Sequence, residues 1–225
     1  MEEPYVDYDY DFSEELTNGI VDAINNWYVN NELRIIIVEG YQGVGKSLYS
    51  LLIASEVYKT NSWNVLKKYY VYDPTEFLDT VKSIRKKRPL LVWDDAGNWL
   101  NSQDYNKKRV VDTCKYFQVA RPHWGCILLT AVDAEDIVSR IRNMPNRILI
   151  QVIKNSSKKE PDRRTARVFT RWKSPDKTRK GEAGKIDENF YLHNCSPELY
   201  KPYEKYRLSF VNKAIKEMDR SKYDD

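Results

Sequence analysis

Residues 40–47 read Gly40-Tyr41-Gln42-Gly43-Val44-Gly45-Lys46-Ser47, the spacing G-x-x-x-x-G-K-S. Glycines at these positions accept backbone geometry that a Cβ would forbid, so that successive N–H groups converge on anionic oxygens. A helix opening where the loop ends adds its positive pole at the same point. Lys46 is long enough to reach the outer phosphates, and Ser47 offers a hydroxyl to Mg2+. The stretch therefore reads as a cradle for a triphosphate, taken to be ATP, bound with Mg2+ by Gly40, Gln42, Gly43, Val44, Gly45, Lys46, Ser47 and Leu48. Nothing in the chain reads adenine over guanine, although a guanine-reading N-K-x-D is absent. A second cluster, "LLVWDD" (90–95), ends an apolar run in two carboxylates. Asp94 is the natural partner of Ser47 in holding the metal, and Asp95 comes next, where a carboxylate polarises an attacking water. Burying such a pair is costly without a cation nearby.

These residues need a scaffold. "LRIIIVEG" (33–40) is a continuous β-branched run, as expected of a strand buried on both faces of a parallel sheet. A helix follows from about Lys46 to Tyr58, then a strand "KYYVYD" (68–73) and a helix over 74–88 with Pro74 at its first position. A third strand over 89–97, a helix over 107–119, a fourth strand "GCILLTA" (125–131), a helix over 133–143 and a fifth strand over 146–154 complete the alternation. Ahead of them, Leu16, Ile20, Ala23, Ile24 and Trp27 recur near helical spacing, with Ser13 as N-cap. The pattern predicts an α/β fold, a five-stranded parallel sheet flanked by helices. Three segments result: an acidic arm with a helix (1–32), the phosphate-binding core (33–154) and an extension (155–225). The extension holds a basic strand "TARVFTRWK" (165–173) hairpinned onto the fifth, a basic loop over 174–185 and a closing helix from about Tyr203.

Composition narrows the function classes. The 225-residue chain is 41% hydrophobic and 31% charged, which suits a soluble globular protein with one good core. No apolar run approaches the roughly 18 residues of a membrane span. The acidic N-terminus, "MEEPYVDYDYDF", is no secretory signal, so the reading is a cytoplasmic protein. Cys114, Cys126 and Cys195, with His123 and His193, lack zinc-ligand spacing and read as free thiols. The net charge of +4 hides an asymmetry: residues 1–15 carry seven acids and no base, whereas 151–185 carry twelve bases and four acids. Such a division points to a surface that faces a polyanion.

The loop at 40–47, "LLVWDD" about fifty residues later and a strand ending in Thr130 resemble the ASCE division of P-loop NTPases, and within it the AAA+ and DnaA-like group. The small size and the "WDDAG" ending are similar to ATPases carried by archaeal viruses and plasmids. The resemblance covers about residues 33–150. It implies that Asp94 is the Walker B aspartate, that Asp95 stands where glutamate is usual, and that Thr130 orients water or senses the γ-phosphate. The shorter Asp95 leaves slow hydrolysis, or use of an intervening water, open. In that family an arginine reaches the γ-phosphate of a neighbouring subunit. Arg140 and Arg142, with Arg147 as a third candidate, stand where such a residue is expected, or else they cap a helix C-terminus. No lid of the family's usual length and no sensor-2 arginine is evident after residue 154.

The function implied is ATP hydrolysis by a homo-oligomeric enzyme acting on DNA, in replication, packaging or partition of a mobile genetic element. In "RTARVFTRWK", Arg167, Phe169 and Arg171 share one face and Val168, Thr170 and Trp172 the other. A basic face with one aromatic suits phosphates and an unpaired base, or it is the charged guard of an edge strand. "RKKR" (85–88) reads as plain solvation, and the 17 scattered tyrosines as packing rather than a stacking platform. Two alternatives stay open: a small-molecule or nucleotide kinase with "KKEPDRRTAR" as its lid, and a slow nucleotide-gated loader or assembly protein.

Overall fold

The structure is a computed structural model that describes residues 18–145, 147–154, 163–173, 180–182, 187–192 and 195–221. The acidic arm, Ser13, and residues 174–179 and 183–185 of the basic loop lie outside the described residues.

Five parallel strands make the centre: β1 (Arg34–Glu39), β2 (Tyr70–Val71), β3 (Arg88–Trp93), β4 (Trp124–Thr130) and β5 (Arg147–Lys154). Their spatial order is β2-β3-β4-β1-β5. The apolar run of β1 loads both faces by the two-residue period of a strand. Ile36 and Val38 enter one core, Ile35 and Ile37 the other. The first core packs under α1 (Asn18–Val29), α2 (Lys46–Tyr58), α3 (Trp63–Leu66) and the start of α8 (Pro197–Ser221). The second packs under α4 (Pro74–Ser83), α5 (Ala96–Trp99), α6 (Lys108–Val119) and α7 (Ser139–Arg142). The expected five-stranded parallel α/β sheet is therefore what the chain forms. Among the described residues no helix is long and apolar enough to cross a membrane.

The basic segment extends this sheet. β6 (Arg163–Lys173) runs antiparallel to β5, as the hairpin reading requires, and β7 (Lys180–Glu182) and β8 (Asp187–Leu192) both pair with its outer edge. Ala166 and Val168 are buried, Arg167 is exposed and Phe169 is half-buried, which matches the alternation expected for this strand. Arg171 and Trp172 lie outside the residues whose side chains are described.

Four element boundaries differ from the sequence reading, each for a local reason. β2 is only Tyr70–Val71, because Asp73 leaves the strand to cap α4, accepting from the N–H groups of Thr75 and Glu76. α4 stops at Ser83 rather than 88. The chain turns extended at Ile84, and Arg88 precedes Pro89, a position that disfavours helix. The helix expected over 133–143 is broken in two. A capping box at Asp133 and Asp136 closes a short 3-10 turn, after which Ile137 bridges to Asn101 and the Val138 N–H donates to Leu100 O. α8 begins at Pro197, six residues before the expected start, and passes through Pro202, so that the Glu198 carbonyl on its exposed side loses its helical donor.

α1 lies tight on β4. A Cβ built on Gly125 would sit 2.9 Å from Tyr28 Cα and 3.0 Å from Pro89 O, both backbone atoms. Gly125→Ala is expected to lower unfolding stability by about 1–3 kcal/mol, read as a lower denaturant midpoint at unchanged slope. An unchanged midpoint would mean that α1 does not press on β4 as described.

Candidate functional site

The strands β1, β3 and β4 all end at one edge of the sheet, and the phosphate-binding loop turns over it. At the end of β1 the Glu39 carboxylate accepts from Ala134 N (3.1 Å) and Gln151 Nε2 (3.2 Å), bracing the strand end. Gly40 follows at φ 149°, where a Cβ would lie 2.6 Å from the carbonyl oxygen of Val152 on β5. Only glycine fits there. Gly43 and Gly45 also have positive φ. Lys46 opens α2 and is nearly buried; its Nζ donates to Gly40 O at 2.7 Å and Tyr41 O at 3.1 Å. From behind, buried Arg164 of β6 donates from Nε to Val44 O at 3.1 Å, so the extension props the loop directly.

β4 lies between β1 and β3, which sets Thr130 beside Asp94. Thr130 Oγ1 donates to Asp94 Oδ1 and accepts from Asp95 N, both at 2.7 Å. Ser47 Oγ donates to the same Asp94 oxygen at 3.0 Å. The other, Oδ2, accepts from Tyr203 OH of α8 at 2.7 Å. Asp94 is 0% exposed. Burial and then the charge of Asp95 push its carboxyl above the ordinary range, while the hydroxyl donors pull it back. Asp95 adopts left-handed backbone geometry, φ 52° and ψ 34°, which few non-glycine residues take. Its carboxylate accepts from Tyr72 OH at 2.6 Å and lies 3.9 Å from the Arg207 guanidinium. Burial lowers the Lys46 ammonium below its usual value, against the opposing pull of Asp95 and Asp94.

A cleft of about 400 Å³ opens above these groups. Gln42, Gly43, Gly45, Lys46, Ser47, Leu48 and Asp95 line it, so the structure brings together the main part of the site read from sequence. Asp94 and Thr130 are buried behind Asp95 and Ser47, and Gly40 and Val44 support the loop from below. Ser47 and Asp94 offer hard oxygen donors of the kind that suits Mg2+. Arg140 and Arg142 do not line the cleft: Arg140 is exposed on α7, and Arg142 pairs with the Glu135 carboxylate. Arg147 is buried at the start of β5, in register with Ile35 and at the opposite edge of the sheet from the loop.

Sequence reasoning missed the third wall. Tyr200, Tyr203 and Arg207 of α8 line the cleft, and Tyr72 holds Asp95. The signal available was the i, i+3, i+7 spacing of Tyr200, Tyr203 and Arg207 on one helical stripe. That stripe resembles any amphipathic helix until the chain is seen to return to the sheet edge.

No protein-family model matches the chain. It is similar to an uncharacterized protein of Sulfolobus spindle-shape virus 1, 24% identical over 211 residues, which cover 87% of this chain and 82% of that one. An uncharacterized protein of Acidianus two-tailed virus is 29% identical over 126 residues, 53% of this chain and 43% of the other. Both relatives belong to archaeal viruses, the source that the sequence resemblance implied. Among solved structures, the N-terminal domain of zonular occludens toxin from Neisseria meningitidis aligns with TM-score 0.43 and 14% identity, over 75% of this chain and 97% of that one. The genome packaging NTPase of Sulfolobus turreted icosahedral virus 2, in complex with ATP-γS, aligns with TM-score 0.34 and 10% identity, over 68% and 98%.

Thr130 carries two bonds, one to each aspartate. Thr130→Val is expected to cost about 1–3 kcal/mol of unfolding stability, because it leaves Asp94 short of a donor and the Asp95 N–H without an acceptor. Thr130→Ser is expected to retain most of it. Equal midpoints for the valine and native chains in a denaturant titration would show that the hydroxyl does not hold the two aspartates.

Proposed function

We propose that the chain binds ATP with Mg2+ and hydrolyses it to drive work on the DNA of a mobile genetic element. The observation that carries the reading is the convergence of the glycine loop, buried Asp94 and cleft-facing Asp95 at one edge of the sheet. Loop N–H groups and the start of α2 face the phosphates. Lys46 exchanges the carbonyls of Gly40 and Tyr41 for phosphate oxygens. Ser47 and Asp94 would hold Mg2+, which would supply positive charge against the phosphates. Asp95 lines the cleft itself, so its shorter side chain still reaches the site; its carboxylate orients the attacking water and accepts the proton. Thr130 keeps Asp94 and Asp95 in fixed relation.

The DNA half rests on β6. Arg167 is exposed and half-buried Phe169 lies on the same side, a pairing suited to phosphates and an unstacked base. The same strand reaches the loop through Arg164, which gives nucleotide and strand a direct mechanical link. That contact also argues against a kinase lid, since Arg164 is buried against the loop rather than poised over an acceptor. A homo-oligomer would bring the exposed Arg140, or Arg142, of one copy to the cleft of the next. The source of the relatives fits action in the cytoplasm of a host cell.

Lys46→Ala is expected to lower ATP turnover by about 10²–10³-fold, the range for removing one preorganised electrostatic group. Unimpaired turnover would remove the enzymatic reading. Turnover of the native chain is expected to rise when DNA is added at low salt, and Arg167→Glu to weaken that response. Absence of both DNA binding and stimulation would remove the DNA half and leave the hydrolase.

A further inference from the structure

α8 is held to the site at several points. Tyr203 is 2% exposed, its ring packed edge-on against Trp63 (5.5 Å) and Tyr70 (5.6 Å) and its hydroxyl on Asp94. One turn on, Tyr206 donates to the Glu76 carboxylate and Phe210 stacks on Tyr72 at 4.8 Å. Arg207 sits between these anchors. Its backbone is fixed, yet its side chain is 46% exposed and borders the cleft that Lys46 enters. At 3.9 Å from Asp95 Oδ2 it forms an ion pair too long for a hydrogen bond, so the planar fork of donors keeps its capacity for phosphate oxygens. Asp95 is the residue placed beside the attacking water, and water attacks the outermost phosphate. A cation adjoining Asp95 therefore faces that phosphate rather than the inner ones.

We propose that Arg207 is a substrate-binding residue that grips the terminal phosphate in cis, so that the chain adds a second cation of its own to the one that Lys46 supplies. The assignment rests on the reading of the cleft as an ATP site. Lys46 and Arg207 then clamp the triphosphate from the loop side and the helix side, and the charge that develops on the outer phosphoryl oxygens meets a bidentate donor. Because a diphosphate lacks the group that Arg207 contacts, the residue separates substrate from product. Tyr203 acts through α8 and Asp94 to set the height of Arg207 over the cleft.

The test uses the full chain, with Mg2+, and compares affinity for ATP-γS and for ADP by calorimetry. Arg207→Ala is expected to weaken ATP-γS by about 10- to 100-fold, the range for one charge-assisted hydrogen bond, while ADP stays within about twofold. Arg207→Lys is expected to fall between, since it keeps the charge and loses the fork. The half-exposed position means that melting without nucleotide should match the native chain. Equal losses for both nucleotides, or none for either, would overturn the assignment. Mixing Arg207→Ala with Lys46→Ala chains is expected to restore no turnover; recovery would overturn the cis arrangement. Failure of the underlying reading looks different, namely Lys46→Ala binding ATP-γS as tightly as the native chain.

Discussion

A fully buried carboxylate governs this structure. Asp94 has no water to solvate it, and an uncompensated charge in that position costs several kcal/mol. Three hydroxyls compensate it: Ser47 from α2, Thr130 from the end of β4 and Tyr203 from α8. Each comes from a different part of the chain, so the carboxylate is satisfied only when the loop, the central strand and the closing helix are all in place. The insertion of β4 between β1 and β3 follows the same logic, because only a strand there can set Thr130 between the loop and the two aspartates.

The hydroxyls of four tyrosines carry this arrangement outward. Tyr70 reaches Ser50 and the carbonyl of Ser47, Tyr72 reaches Asp95, Tyr203 reaches Asp94 and Tyr206 reaches Glu76. Three of them cluster around Trp63, which locks α8 to α3 and β2. Tyrosine suits the task because its ring packs like a core residue while its tip meets a polar group. Burial and the nearby carboxylates raise the Tyr203 and Tyr206 phenols far above their ordinary range, so they remain proton donors at any working pH. On the opposite side of the loop Arg164 binds the extension to Val44. The segment after residue 154 is therefore built into the site from two directions, by β6 and by α8.

Much of this was legible in the residues. The loop and the two aspartates were legible because their chemistry demands fixed types at fixed spacing, Thr130 came from the family resemblance, and the strands were legible as short apolar runs between helical patterns. The β6 hairpin was legible from alternation alone. Less local features were not. The order β2-β3-β4-β1-β5 leaves no mark on a pattern of alternating elements. The break at Ile137–Val138 comes from a bridge to Asn101 and Leu100, a long-range pairing that overrides helical spacing. The role of α8 was hidden because tyrosines and an arginine on a helical stripe look the same whether they face solvent, a core or a ligand. α8 also runs through Pro202, a residue that helix propensity penalises and that tertiary contacts here absorb.

The most direct test is a crystal structure of the full chain with Mg2+ and ATP-γS. The expected result is a triphosphate lying against the N–H groups of the 43–47 loop, with Lys46 Nζ moved from the carbonyls of Gly40 and Tyr41 onto phosphate oxygens and the metal beside Ser47 and Asp94. Nucleotide bound elsewhere, with Lys46 still on those carbonyls and Asp94 still sealed from the ligand, would contradict it.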